Sequence, residues 1–319
     1  MARSTTLIAR PAPAGARLGM SKLAFRDAID GYLFILPWVA GFILFTLGPM
    51  MASLVLVFID WDLLTPPVWA GFDNLNKLVN DQLVSISLYN TAYYTFLSVP
   101  LRLAIALAGA MLLNSSVRGL SFFRTAFYLP SVLPVVASAI LWMWMYNPQV
   151  GLFNQGLMAL GLPRLGWLWD PLLSKPSLIL MSLWTTGNVM IIFLAGLQSI
   201  PSGLYEAAEI DGADNWQQFR HVTMPMLSPV VLFNLVMGVI YSFQVFAIVF
   251  LMTGTGGQSA GGPINSTLMM VVYLYRVAFE QFKMGYGSAV AWLLFLVILV
   301  FTIIQWKWSD TWVYYEGKK

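Results

Sequence analysis

Apolar residues run along this chain in six long blocks, approximately 32 to 59, 90 to 113, 127 to 146, 177 to 200, 230 to 252 and 288 to 306, with shorter polar connections between them. Nothing in the blocks alternates as the roughly 10-residue strands of a membrane barrel must. Each block is long enough to cross a bilayer as a helix, because about 20 residues at a rise of about 1.5 Å cover a hydrocarbon core of roughly 30 Å. A helix is required there since lipid offers backbone N–H and C=O groups no partner. The pattern predicts an all-α integral membrane protein with six transmembrane helices. Pro37, Pro49 and Pro134 fall inside blocks; each removes a backbone donor, so the helices holding them should be kinked.

The connections sort into tails, caps and one exception. Residues 1–30 read as a flexible N-terminal tail, 31–308 as the membrane domain and 309–319 as a C-terminal tail. The connection at 114–124 is a short basic turn. Those at 60–89, with Asp60, Asp62, Asp73 and Asp81, and at 147–176, rich in Gly, Pro and Trp, read as ordered external caps. A glycine-rich turn at 254–262 leads to a mostly apolar segment, Thr267 to Phe279, too short for a seventh span and therefore an interfacial helix or a re-entrant piece. The exception is the connection at 201–225, which reads as two short helices. Ser202 is placed to cap the first, and Glu206 and Glu209 sit near its beginning, where acidic groups complement the helix dipole. Gly212 stops it, and Asp214 with Gln217 has the spacing of a capping box for the second. Trp216, Phe219 and Val222 share one face of that second helix, and Pro225 marks the return to the membrane. Such a knuckle suits either docking to another protein or lying on lipid.

Composition narrows the class. Mean hydropathy is +0.74 and only 10% of residues are charged, against roughly 25% in soluble domains, which excludes a water-soluble globular protein. Of the 31 charged residues, 30 lie outside the blocks, and the exception is Arg102. Lys and Arg count eleven in the two tails and the second and fourth connections, and five in the first, third and fifth. By the positive-inside rule both termini are cytoplasmic, and the net charge of +3 is an orientation signal rather than a nucleic-acid footprint. Trp61, Trp69, Trp142, Trp144, Trp167, Trp169, Trp306, Trp308 and Trp312 lie near block ends, where indole rings favour the headgroup region.

Chemistry is sparse. There is no cysteine and one histidine, His221, which reads as a solvated surface residue. No P-loop, HExxH or GxSxG pattern occurs, and no acid lies in a block, which weighs against an ion-coupled carrier. The remaining leads are polar groups within blocks. Asn234, Tyr241, Ser242 and Gln244 can share a broad helical face, and Trp184 and Asn188 stand one turn apart. Aromatic faces with amides and hydroxyls suit a neutral polyhydroxylated ligand; the alternative is ordinary hydrogen bonding between membrane helices. Arg102 reads as a gating, substrate-contacting or purely structural residue.

The connection at 201–225 also carries a resemblance. Glu206-Ala207-Ala208, then Gly212 after three residues, Val222 after nine more and Met224-Pro225, resembles the EAA loop of ABC importer permeases, with Val and Met replacing the usual Ile and Leu. Phe123-Arg124-Thr125 with Leu129-Pro130, Gly151 to Asn154, Gly261 to Pro263 with Ser266-Thr267, and Tyr275 to Phe279 leading into Gly285-Tyr286 are similar to its carbohydrate-uptake branch, the permeases resembling the maltose and glycerol-phosphate importers. The resemblance implies a type I ABC importer permease fold in the cell inner membrane, forming half of a heterodimeric translocation pathway, and no enzyme activity. It implies a coupling helix around Glu206, Ala207, Ala208 and Gly212, followed by Pro225, seated in a groove of a cytoplasmic ABC ATPase dimer. ATP and Mg would be bound by that ATPase, with no cofactor in this chain. A second permease subunit, an extracytoplasmic substrate-binding protein and the lipid bilayer are the other implied partners, with no nucleic acid. The implied sugar site would use the fifth block, where Tyr241, Ser242 and Gln244 lie; with Trp184 and Asn188 of the fourth block these are the substrate-binding candidates. A phosphorylated polyol, hinted at by Arg102 and Arg276, is the alternative substrate, and a self-sufficient secondary carrier the alternative class.

Overall fold

The computed structural model of the chain describes residues 22–115, 119–254 and 261–314, whose regular structure is helical apart from one short β-ladder. The N-terminal tail to residue 21, Arg118, residues 255–260 of the glycine-rich turn and residues 315–319 of the C-terminal tail lie outside the described residues.

Two compact units divide the chain at Ser53 and Leu54. The first carries α1 (Lys22–Phe42), a π-turn at Ile43–Leu47, and the start of α2 (Gly48–Leu56), which runs across the boundary. Pro49 cannot donate to the carbonyl four residues back. The π-turn absorbs the defect, with the Gly48 N–H reaching the Ile43 carbonyl, so Phe25–Leu56 remains one apolar run of 32 residues.

The second unit opens with β1 (Ile59–Asp60) and β2 (Val68–Trp69), antiparallel with Ile59 opposite Trp69. The helices α3 (Asp73–Asn80), α4 (Gln82–Asn114), α5 (Leu120–Val132), α6 (Val135–Met145), α7 (Leu152–Ala159), α8 (Ser174–Trp184) and α9 (Gly187–Gln198) follow. Then come α10 (Ser202–Ile210), α11 (Asn215–Gln218), a π-turn at Phe219–Thr223, α12 (Met224–Phe243), α13 (Ala247–Thr253), α14 (Met270–Tyr275), a π-turn at Arg276–Glu280, and α15 (Met284–Ser309).

Four helices, Phe25–Leu56, Gln82–Asn114, Asn215–Phe243 and Met284–Ser309, are each long and apolar enough to cross a membrane, and α5 with α6 and α8 with α9 bring the number to six when each bent pair is one span. The expected kink at Pro134 is a full break, with α5 and α6 at 97°. The residue before a proline is driven out of helical conformation, and Leu133 is extended at ψ 140°. The pair α8 and α9 bends by 47° at a non-helical Thr185, φ −98° and ψ 34°. Just beyond it Gly187 meets α5 so closely that a Cβ would lie 2.7 Å from the Phe127 carbonyl oxygen. The fifth block is also divided: α12 ends at Phe243, and α13 resumes after three residues.

Helix α4 is the central post, packed against α8, α9, α12 and α14. Its buried face is small and polar, with Ser87, Asn90, Thr91, Thr95 and Ser98 followed by Ala106 and Ala110, while Leu97, Leu101, Ile105 and Leu112 point outward. Lipid tails are as apolar as leucine, so helices associate through close approach and hydrogen bonds instead. Asn90 donates to the carbonyls of Asn265 (2.8 Å) and Leu268 (3.1 Å) and accepts from Lys175 Nζ (3.0 Å). Thr91 Oγ1 accepts from the Met270 N–H at 2.9 Å. These bonds seat the segment after Gly262 inside the protein, where Leu268, Met269, Met270 and Val272 are fully buried. The interfacial alternative for that segment is thereby corrected.

Trp142 and Trp167 also depart from expectation. They do not mark a headgroup belt but join Tyr146, Phe153 and Trp184 in one aromatic cluster, with ring centroids 5.2–5.9 Å apart. Tyr146 closes it by donating its hydroxyl to the Ser177 carbonyl at 2.8 Å. Trp69, Trp144, Trp169, Trp306 and Trp308 are exposed, as an interfacial position requires.

Candidate functional site

A cavity of about 370 Å³ opens among α4, α9 and α12, within the size class that holds small ligands. Val99, Arg102 and Leu103 contribute from α4, Asn188 and Ile192 from α9, and Phe233, Asn234, Met237 and Tyr241 from α12. The cavity lies where the core cluster around Val99, Val239 and Phe243 gives way to a second one around Ala106, Met190 and Leu227. On α12 the stripe Phe233, Met237, Tyr241 advances four residues at a time and so keeps to one face. Asn234 donates to the Val230 carbonyl at 2.9 Å, and Asn188 Oδ1 stands 3.5 Å from the Ser131 hydroxyl. The Nε of Arg102 is buried and has no hydrogen-bond partner among the described residues. Amides, a phenol, a guanidinium and apolar wall together can hold a polar ligand by directed hydrogen bonds on an apolar bed.

Of the residues singled out in the sequence, Arg102, Asn188, Asn234 and Tyr241 line this cavity, and Trp184, Ser242 and Gln244 do not. The expected pairing of Trp184 with Asn188 does not form. The break at Thr185 and Thr186 puts them on different helices, and Trp184 packs on Trp142 at 5.9 Å. Ser242 turns into the core, 3% exposed, and its hydroxyl has no partner among the described residues. Gln244 is exposed at the C-cap of α12. Phe233, Met237 and Ile192 join the cavity without having been singled out; the four-residue stripe was the available signal for the first two.

The connection at 201–225 folds as two helices meeting at Gly212. Helix α10 ends in a Schellman turn: the Gly212 N–H bonds the Glu209 carbonyl (3.0 Å) and the Ala213 N–H the Ala208 carbonyl (2.9 Å). Gly212 holds φ +80° there, a conformation that a Cβ opposes. Both halves of the capping box are present, with Gln217 N–H donating to Asp214 Oδ1 (2.7 Å) and Asp214 N–H to Gln217 Oε1 (2.8 Å). Ser202 is not the cap of α10. Pro201 occupies that position with extended ψ 131° and makes no side-chain bond, leaving Ser202 as the first helical residue. The second helix does not stop before the membrane either: α11, the π-turn and α12 form one run, Asn215–Phe243, with Pro225 in the first turn of α12.

The knuckle presents a free surface. Glu206, Ala207 and Ile210 are exposed, as is Trp216, and no hydrogen bond or ion pair of the Glu206 carboxylate occurs among the described residues. Ala208, Asp211, Gly212, Gln217 and His221 border a cleft of about 370 Å³ between the two helices. Tyr205 anchors α10, its hydroxyl 3.0 Å from Thr223 Oγ1. The chain beyond α15 comes back to the first turns of α12, where the Tyr314 N–H donates to Ser228 Oγ at 2.9 Å.

A third polar cluster went unnoticed because its members are 192 and 205 positions apart in sequence. Asp81 caps α4 by accepting from the Leu83 N–H at 2.8 Å. Its other oxygen accepts from the hydroxyls of Tyr273 and Tyr286, the latter at 2.5 Å. Burial works to raise the Asp81 carboxyl, but the two phenols and the backbone N–H groups of Leu83 and Val84 prevail and hold it below its usual value.

Residues 101–310 match the family described as binding-protein-dependent transport system inner membrane component. The chain is 41% identical to the probable ABC transporter permease protein YesP of Bacillus subtilis, over 92% of this chain and 94% of that protein. It is 33% identical to the trehalose/maltose transport system permease protein MalF of Thermococcus litoralis, over 90% of this chain and 96% of that one. Among solved structures it is similar to a chain of a bacterial ABC transporter involved in the import of the acidic polysaccharide alginate, with a TM-score of 0.79, 25% identity, and coverage of 91% of this chain and 98% of that one.

Proposed function

We propose, from the premise that this chain belongs to the family of binding-protein-dependent transport system inner membrane components, that it imports a saccharide and is driven through its knuckle by a separate ATPase. As an ABC transporter permease it is a multi-pass membrane protein and a transport component rather than an enzyme. The saccharide assignment draws support from relatives named for trehalose, maltose and alginate, and these names do not favour a phosphorylated polyol.

One observation carries the coupling. The helical run Asn215–Phe243 is uninterrupted and bears Trp216 of the knuckle at one end and the cavity residues Phe233, Asn234, Met237 and Tyr241 at the other. From Trp216 to Tyr241 a helix rises about 38 Å at about 1.5 Å per residue. Movement of the knuckle by a partner on the cytoplasmic side therefore reaches the cavity wall along a single rod. The unpaired carboxylate of Glu206 gives a basic group of the ATPase something to hold, Ala207 and Ala208 let the surfaces approach, and Gly212 and Pro225 shape the turn and the return. An ATPase dimer binds ATP and Mg, a second permease subunit completes the pathway, and an extracytoplasmic protein delivers the sugar. Asn188 and Tyr241 are the substrate contacts this geometry favours, with Asn234 beside them.

Glu206→Lys in the reconstituted complex tests the reading. Uptake should fall at least tenfold, while the variant still inserts in the membrane and ATP hydrolysis by the complex no longer tracks transport. Unchanged uptake would remove the knuckle from the coupling path.

A further inference from the structure

A neutral sugar needs amides, hydroxyls and aromatic faces, and Asn188, Asn234 and Tyr241 supply them; Arg102 is left over. It is the one charged residue among the cavity lining and the one charged residue inside any of the six apolar blocks. No Asp or Glu occurs in α4, α9 or α12 to balance it. Its Nε is buried and without an acceptor among the described residues, and the ion pair found there, Arg276 with Glu280, lies elsewhere. Arg102 stands twelve residues from Asn114, the inner end of α4, or about 18 Å at about 1.5 Å per residue, farther than its side chain reaches toward that end. An arginine so placed is costly unless it meets a counter-charge, and no described residue of the cavity offers one.

We propose that the missing counter-charge is the substrate's: the cavity takes a saccharide bearing a carboxylate, a uronic acid residue, which Arg102 binds while Asn188, Asn234 and Tyr241 hold its hydroxyls and ring. This rests on the saccharide reading and narrows it. A guanidinium presents parallel N–H donors that match a carboxylate in two hydrogen bonds. The pair would be neutral as a unit, so the charge that makes each partner unwelcome in the membrane is cancelled on binding. The same arrangement disfavours the neutral analogue, whose hydroxymethyl group leaves the guanidinium without a counter-charge.

Ligand-observed saturation-transfer NMR on the intact transporter complex in detergent tests this with three probes: digalacturonate, its neutral counterpart galactobiose, and galactose 6-phosphate. The wild type should bind digalacturonate at least tenfold more tightly than galactobiose. Arg102→Gln should abolish that preference, chiefly by weakening digalacturonate binding at least tenfold; Arg102→Lys, which keeps the charge without the fork, should retain part of it. Equal binding of the two disaccharides by the wild type overturns the proposal but leaves the saccharide reading standing. The proposal is also overturned by a preference that survives in Arg102→Gln, by one that vanishes equally in Arg102→Lys, or by tighter Arg102-dependent binding of galactose 6-phosphate than of digalacturonate. Binding of neither disaccharide overturns the saccharide reading and this proposal together. The wild-type comparison stands even where a variant complex fails to assemble.

Discussion

Tyr241 and Phe243 stand two residues apart on α12 and live in different solvents. Tyr241 is 65% exposed on the cavity side; Phe243 is fully buried and stacked on Phe301 at 5.4 Å. Phe243→Ala should therefore cost about 3–5 kcal/mol of stability through the void it leaves. Tyr241→Ala should change stability by no more than about 0.5 kcal/mol while lowering uptake about tenfold. Thermal unfolding beside uptake separates the two, and a Tyr241→Ala complex with normal uptake would take this residue out of the ligand's path. Helical periodicity alone put Tyr241, Ser242 and Gln244 on one broad face. Ser242 lies 100° from Tyr241 around an ideal helix, which is enough to bury its hydroxyl, and Gln244 sits where the helix ends. Periodicity says which residues can share a direction, and the neighbours decide which direction is the cavity.

At the scale of elements, the knuckle was legible almost to the residue because its stops and starts are local chemistry. The Schellman turn at Gly212 and the box between Asp214 and Gln217 bond groups no more than five residues apart. Asp214→Ala removes one of the box's two bonds and should weaken the start of α11 by about 1 kcal/mol. Since α11 is the near end of the rod, uptake should drop severalfold with ligand binding at the cavity unchanged, and Asp214→Ser should restore it; loss of ligand binding in Asp214→Ala would mean that the box shapes the cavity rather than the coupling surface. Ser202 misled because Pro201 claims the cap position with its own backbone geometry. The broken spans escaped for a related reason. A proline announces a disturbance, but a π-turn absorbs Pro49, with Gly48 still helical, while a near right-angled break answers Pro134, with Leu133 extended.

For the whole molecule, charge predicts the orientation: eleven Lys and Arg against five predict that both termini and the knuckle face the cytoplasm. The bond from Tyr314 to Ser228 puts the end of the described chain beside the base of the knuckle. The chain has no cysteine, so one introduced thiol is the only one it carries. A membrane-impermeant maleimide applied to intact cells stripped of outer barriers should label Asn76→Cys and spare Asn215→Cys; the reverse would invert the topology. The number and polarity of the apolar blocks, the absence of cofactor-binding patterns and the knuckle were written in the order of residues, because apolar length, charge and capping are properties of short stretches of chain. The inward Trp142 and Trp167, the clasp of Asp81 by Tyr273 and Tyr286, and the meeting of Arg102 with Asn188, Asn234 and Tyr241 were decided by tertiary structure alone. Each depends on which helices touch, and between membrane helices contact is chosen by close packing and hydrogen bonding across distant segments, for which an almost uniformly apolar sequence leaves little local trace.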